Sequence, residues 1–193
     1  MRHLPNLLSG LRLLCTVPLA LWILDGQDAR ALYLLVFAGL TDLLDGFLAK
    51  RFGWQSAVGA WLDPAADKLL ALVVLACLFV VDALPLWFVL VVVGRDLILA
   101  LGSLAFHWFV RTLKPEPNVL GRSAVFAQTL FLAFVLLDRG LVPVADRSLW
   151  WMANIATVLT LASGVDYVIR FIQKTRAAWR ENATENGRTP DVR

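Results

Sequence analysis

Thr41 to Lys68 reads TDLLDGFLAKRFGWQSAVGAWLDPAADK. Four aspartates fall in it as two pairs, Asp42 with Asp45 three residues on, and Asp63 with Asp67 four residues on. On an α-helix both spacings put the two members of a pair on one face. The polar break between the pairs is short, so the helices on either side are expected to be antiparallel neighbours, and the four carboxylates to converge at one end of the helix pair.

Working outward, apolar runs near the roughly 20 residues needed to cross a hydrocarbon core recur along the whole sequence. Of the 193 residues 59% are hydrophobic and 17% charged, which excludes an ordinary soluble domain. Between polar breaks the expected spans are 6–24, 30–50, 59–81, 84–110, 119–137 and 148–172. Helices are required, because an open sheet leaves backbone groups unpaired in lipid and no alternating ten-residue pattern of a membrane barrel is present. The expected fold is therefore all-α, a polytopic membrane protein of six transmembrane helices. No internal repeat and no cleavable targeting segment is read in it. Residues 1–174 form the membrane domain and 175–193 read as a polar, disordered cytoplasmic tail.

Charge sets the orientation. The breaks after the first, third and fifth spans hold Asp25, Asp28, Asp82, Asp138 and Asp146, with Arg30, Arg139 and Arg147 as their only cations. The opposite side carries Arg2, Lys50, Arg51, Arg111, Lys114, Arg122, Lys174, Arg176 and Arg180, so both termini are expected in the cytoplasm. Trp22, Trp54, Trp87, Trp108, Trp150 and Trp151 lie near span ends, where aromatic rings meet headgroups. A net charge of +3 borne at span ends points to anionic lipid and away from nucleic acid. Cys15 and Cys77 sit inside apolar runs without metal-ligand spacing, as packing residues do.

Four carboxylates cannot remain ionised together at a membrane surface without compensation. An all-oxygen cluster with no His or Cys nearby suits magnesium, manganese or calcium. Two such ions about 4 Å apart are the arrangement that holds a pyrophosphate for in-line displacement. Gly46 and Gly59 allow a ligand or a neighbouring helix to approach closely, and spacing alone does not choose between the two. Lys50 and Arg51 are placed either to pair with phosphate or to snorkel to the interface. Pro64 is tolerated in the first turns of its helix.

At these residues the sequence resembles the CDP-alcohol phosphatidyltransferase family, whose signature is D-x2-D-G-x2-A-R, eight or nine residues, then G-x3-D-x3-D. Asp42, Asp45, Gly46, Ala49, Lys50, Gly59, Asp63 and Asp67 stand at its positions, with Lys50 for the usual Arg and Arg51 following. Pro5, Asn6, Leu7, Leu8, Ser9 and Arg12 are similar to the N-x2-T-x2-R pattern of the phosphatidylglycerophosphate and cardiolipin synthase branches, with Ser9 for Thr. The resemblance implies that Asp42, Asp45 and Asp63 ligate Mg²⁺ or Mn²⁺, and that Asp67 either contacts metal or is the catalytic base for the acceptor hydroxyl. It implies that Gly46, Ala49, Lys50, Arg51 and Gly59 line the site of CDP-diacylglycerol. The other substrate is a glycerol-type alcohol, membrane lipids surround the chain, and a homodimer in the bacterial inner membrane, with the active site facing the cytoplasm, is the implied assembly.

Charges within the later spans bear on the acceptor. Arg95 and Asp96 interrupt the fourth span, Arg122 enters the fifth, and Asp166 precedes Arg170 by four residues, which reads as a structural pair. Gly94 to Asp96 resembles an R-E or R-D segment of the two synthase branches. Gly121, Arg122 and Gln128 align with G-K-x-K-T-x-x-Q of the glycerophosphate-using branch, where Ala124 and Val125 replace the second Lys and the Thr. With a cation and a hydroxyl missing, phosphatidylglycerol is the expected acceptor ahead of glycerol 3-phosphate, with Arg95 and Arg122 as its ligands. His107 reads as an interface residue. A small ion transporter also keeps acids in its spans, but places them near the midplane between repeats, which fits this pattern poorly.

Overall fold

A computed structural model describes the backbone over 4–52, 59–109 and 119–186, and side chains over 10–42, 66–102, 104 and 119–173. Six helices follow one another: α1 Leu4–Leu24, α2 Asp28–Phe52, α3 Gly59–Val80, α4 Leu86–Phe109, α5 Val119–Gly140 and α6 Asp146–Asn186. No strand occurs among the described residues. Each helix covers one expected span. The α5 helix and the Asp146–Gln173 part of α6 are long and apolar enough to cross a membrane, among the described residues. The α6 helix also continues to Asn186, into the stretch read above as irregular. Ala177, Ala178, Ala183, Arg176 and Arg180 are strong helix formers, and no glycine or proline interrupts them before Gly187.

The α3–α4 connection sets where the fourth helix starts. Pro85 has no N–H and restricts its predecessor, and α4 begins only at Leu86. Three of the connections are described, and each is closed by hydrogen bonds of its own residues. After α1, Gly26 adopts φ +71°, the N–H of Gln27 donates to the Trp22 carbonyl at 2.7 Å and that of Gly26 to Ile23 at 3.2 Å. The turn after α3 repeats the motif with Asp82 at φ 56°, Ala83 N–H on Leu78 and Asp82 N–H on Phe79. These paired bonds satisfy helix-end carbonyls that would otherwise be orphaned. After α5, Asp138 Oδ1 accepts from the Val144 N–H at 2.8 Å and ties the turn to the helix it leaves.

The helices form two compact units, Met1–Val89 with Gln128–Ala153, and Leu90–Ala127 with Asn154–Arg193. In the first, α1 packs against α2 and α3. Its buried face is Arg12, Thr16, Leu19 and Ile23, one helical stripe that is polar at one end and apolar at the other. Ala66, Leu70, Val74 and Leu78 form the matching stripe of α3 at four-residue spacing. Phe88 of α4 is fully buried and meets Phe131 of α5 edge to face, with ring centroids 4.8 Å apart. At the far end Arg139 Nε donates to Asp28 Oδ2 at 3.1 Å, joining α5 to α2. Asp28 had been counted above only as a loop charge, yet its residue is 5% exposed.

Beside this ion pair, a Cβ on Gly140 would lie 2.3 Å from the Ala29 nitrogen and 2.7 Å from the Asp28 carbonyl carbon. Those are backbone atoms, so no rotamer change relieves the clash. Gly140→Ala is expected to push α5 off α2 and lower stability by about 1–3 kcal/mol. Thermal unfolding in detergent reads the effect, and an unchanged midpoint would show that the contact is loose.

In the second unit, Val92, Arg95, Leu99 and Gly102 of α4 and Ala156, Thr160, Ser163 and Tyr167 of α6 are the matching stripes. Tyr167 Oη donates to the Leu99 carbonyl at 3.3 Å. The buried face of α6 is thus built from small and hydroxyl-bearing residues, which let membrane helices approach. Large apolar side chains are instead exposed on all six helices, among them Leu14, Phe37, Leu72, Leu101, Phe126 and Val158. A soluble protein would not expose so much of its hydrophobic surface.

Candidate active site

The polar end of the α1 stripe is where Asp42 and Asp67 meet. Arg12 is 3% exposed and points into the first unit. Its two terminal nitrogens reach different helices: Nη1 donates to Asp67 Oδ1 on α3 at 2.5 Å, and Nη2 lies 2.7 Å from Asp42 Oδ1 on α2. One planar guanidinium therefore brings together a member of each aspartate pair. The convergence expected from spacing is realised for these two. Thr16 donates its hydroxyl to the Arg12 carbonyl at 3.1 Å, one turn further along the same buried face.

Asp45, Gly46, Ala49, Lys50 and Arg51 lie on helical backbone in α2, and Gly59 and Asp63 in α3. Their side chains are outside the described residues. Among the described residues no three metal-ligating side chains are grouped. The Asp42 and Asp67 side chains keep 41% and 46% of their surface, while the arginine that joins them keeps 2%. The carboxylates are thus open to a hydrated cation or a phosphate-bearing ligand from outside, and the compensating charge is held behind them. Their hard oxygen donors and their accessibility both fit a magnesium-type ion.

A cavity of about 450 Å³ lies elsewhere, lined by Gly26, Gln27, Asp28, Arg30, Arg139 and Gly140 among others. It belongs to the opposite end of α2, about 20 Å of helix from Asp42. Volume alone is a poor guide here, because that cavity holds the Asp28–Arg139 pair and no paired acids.

Of the two residues expected to bind the acceptor, Arg95 is mostly buried, and Arg122 is not gathered with it by any described bond. The Arg95 side chain is 10% exposed, with Nη1 donating to Asp96 Oδ1 and Nη2 to Ser163 Oγ, both at 2.9 Å. Arg122 is exposed near the start of α5. The expected Asp166–Arg170 pair forms, with Nε donating to Oδ2 at 2.9 Å. Ala124 is completely buried and Val125 is 45% exposed.

Sequence reasoning did not single out two residues that matter. Arg12 entered only as part of a pattern, although an arginine inside an apolar run invites the same suspicion as Arg95. Ser163 gave no signal, since a lone serine in a membrane helix is ordinary.

Large apolar side chains exposed on every helix, with acids from two helices gathered on a buried arginine, are the pattern of a membrane protein that has one polar end. The CDP-alcohol phosphatidyltransferase family model matches residues 2–169. A CMP-forming cardiolipin synthase of Streptomyces coelicolor is 36% identical over 90% of this chain and 85% of its own length. A CDP-diacylglycerol–glycerol-3-phosphate 3-phosphatidyltransferase of Aquifex aeolicus is 33% identical over 87% of this chain and 95% of its own. A Schizosaccharomyces pombe protein described as a CMP-forming cardiolipin synthase fused to a mitochondrial hydrolase is 32% identical over 86% of this chain and 30% of its own. The chain belongs to the CDP-alcohol phosphatidyltransferase family and is a phosphatidyltransferase.

Proposed function

We propose that the chain transfers a phosphatidyl group from CDP-diacylglycerol to phosphatidylglycerol, releasing CMP and forming cardiolipin. The observation that carries the donor half is the meeting of Asp42 and Asp67 on Arg12, which supports a single site built from both aspartate pairs. Asp42, Asp45 and Asp63 would hold Mg²⁺ or Mn²⁺, with Asp67 as a further ligand or as the base. Bound there, the ions would neutralise charge on the pyrophosphate and on the departing CMP. Asp67, with its open carboxylate, is suited to take the proton of the acceptor hydroxyl as that oxygen attacks the phosphorus on the lipid side of the pyrophosphate. Lys50 and Arg51 are suited to the phosphates of the donor. The six helices cross the membrane with both termini in the cytoplasm, so the aspartates face the compartment that supplies the nucleotide. A bacterial inner membrane is the setting this reading favours.

The acceptor half rests on Ala124. Where the glycerophosphate-using pattern has a lysine, this chain has a methyl group with no exposed surface, which supports a pocket with fewer cations than a phosphomonoester needs. Glycerol 3-phosphate is kept as the second reading because the Aquifex aeolicus relative carries that acceptor in its name. Purified protein given CDP-diacylglycerol and Mg²⁺ or Mn²⁺ is expected to release CMP with phosphatidylglycerol and at least tenfold more slowly with glycerol 3-phosphate, a margin set by about 1.4 kcal/mol. The reverse preference would assign the chain to the other branch, and no CMP with either would remove both.

A further inference from the structure

Arg95 is a buried cation that must be aimed, and its own helix does not aim it. Asp96 is its neighbour in sequence on α4 and moves with it, so their bond cannot set the guanidinium relative to another helix. Ser163 can, because it stands on α6 and accepts from Arg95 Nη2 at 2.9 Å. Ser163 is itself 2% exposed. Its neighbour Gly164 has no side chain, and a Cβ there would lie 3.6 Å from Arg95 Cγ, so the stem of the arginine runs across that bare spot.

One turn further the two helices are locked in the same register. The Tyr167 hydroxyl donates to the Leu99 carbonyl, and its ring lies 2.9 Å from where a Cβ on Gly102 would be. Arg95 faces Ser163 while Leu99 and Gly102 face Tyr167, so α4 and α6 run in the same direction along this seam. The tyrosine contact fixes the sliding of one helix on the other, and thereby the height at which the Ser163 hydroxyl meets the guanidinium.

A guanidinium carries five N–H donors. Asp96 and Ser163 take one each, from Nη1 and Nη2, and Nε is buried with no hydrogen-bond partner. An unsatisfied buried donor is costly, and it favours a state in which an anion completes the set. A serine hydroxyl is suited to holding such a cation because it accepts a bond without adding charge, leaving the attraction for a phosphate intact.

We infer that Ser163 is a positioning residue for the acceptor: it fixes the plane of the Arg95 guanidinium so that its remaining N–H groups meet the phosphodiester of the incoming lipid. The inference rests on the reading of Arg95 as the acceptor-binding cation. It extends that reading to a residue that touches no substrate.

The test is CMP release by the full-length enzyme in detergent–lipid micelles, with phosphatidylglycerol and CDP-diacylglycerol varied in turn. Ser163→Ala and Ser163→Cys are expected to raise KM for the acceptor about five- to tenfold, with a much smaller change in kcat or in KM for the donor. Cysteine keeps the volume but is a weak acceptor, so it decides the matter if the alanine variant does not fold. Ser163→Thr, which retains the hydroxyl, is expected to recover most of the acceptor affinity. Arg95→Gln is expected to raise acceptor KM, with no added effect from Ser163→Ala in the same chain. If Arg95→Gln has this effect and Ser163→Cys does not, the positioning role is wrong and the Arg95 reading stands. Should Arg95→Gln leave acceptor KM alone, both fall together. A loss in Ser163→Cys spread evenly over kcat and both KM values would mark a packing role and also overturn the inference.

Discussion

Asp67→Asn is expected to lower phosphatidyl transfer by about 10³-fold while leaving the protein folded. The substitution keeps the shape of the side chain and a carbonyl oxygen for the Arg12 N–H, so the bridge from α1 to α3 survives as a weaker, neutral hydrogen bond. What disappears is the negative charge, needed whether Asp67 holds a metal or takes the acceptor proton. General-base catalysis contributes about 10²–10⁴-fold, and loss of a metal-bound charge acts on the same scale. The two roles separate on a second measurement. A lost ligand weakens Mn²⁺ binding, whereas a lost base leaves it near the parent value. Transfer within tenfold of the parent would exclude Asp67 from either role.

The second large effect is on stability, and it follows from unequal burial. Arg12 is sealed in the first unit, whereas Asp42 and Asp67 keep nearly half of their side-chain surface. Removing the arginine leaves two half-solvated carboxylates, whose charge water can still screen. Taking away the carboxylates strips a buried guanidinium of the counter-charges described for it, the more expensive error. Breaking a buried ion pair from one side costs about 3–5 kcal/mol. The combined change Asp42→Ala with Asp67→Ala is therefore expected to approach that loss. Adding Arg12→Met to it should restore much of the stability, since an unbranched apolar side chain then fills the space. Unfolding midpoints of the three forms in one detergent read the comparison. If the triple variant is no more stable than the double, burial of the arginine is not what makes the site costly.

The fold was legible because each helix is an apolar run bounded by polar breaks. All six expected spans begin within two residues of the observed helix, and the first ends where expected at Leu24. The misses have local causes. Pro85 delays α4, the run Leu136 to Gly140 carries α5 past the charge at Asp138, and alanines carry α6 beyond Thr175. Hydropathy is blind to all three, because helix propensity and capping act without regard to polarity.

The candidate site was legible in part for a similar reason. Helical spacing fixes which acids share a face, and the short connection fixes which helices are neighbours, so Asp42 and Asp67 were within reach of sequence reasoning. The partner of both was not. Arg12 lies 55 residues from Asp67, and nothing in local pattern reveals that α1 inserts its polar end between α2 and α3. Asp28 and Arg139 are further apart still, and in the sequence both are simply charges in the breaks between spans. Ser163 is the extreme case, since its role depends wholly on which helix it touches.

The self-closed turns after α1, α3 and α5 bear on how such a chain is made. In the topology proposed above, these are the tips that must be carried across the bilayer, each at the head of a helical hairpin. A tip whose carbonyls are already bonded within the turn exposes fewer naked dipoles to hydrocarbon on the way. In that topology the short turns would leave little loop on the far side of the membrane. A protease or labelling reagent added there would find three short knots of chain, and the enzyme's accessible handles would all lie on the side where it works.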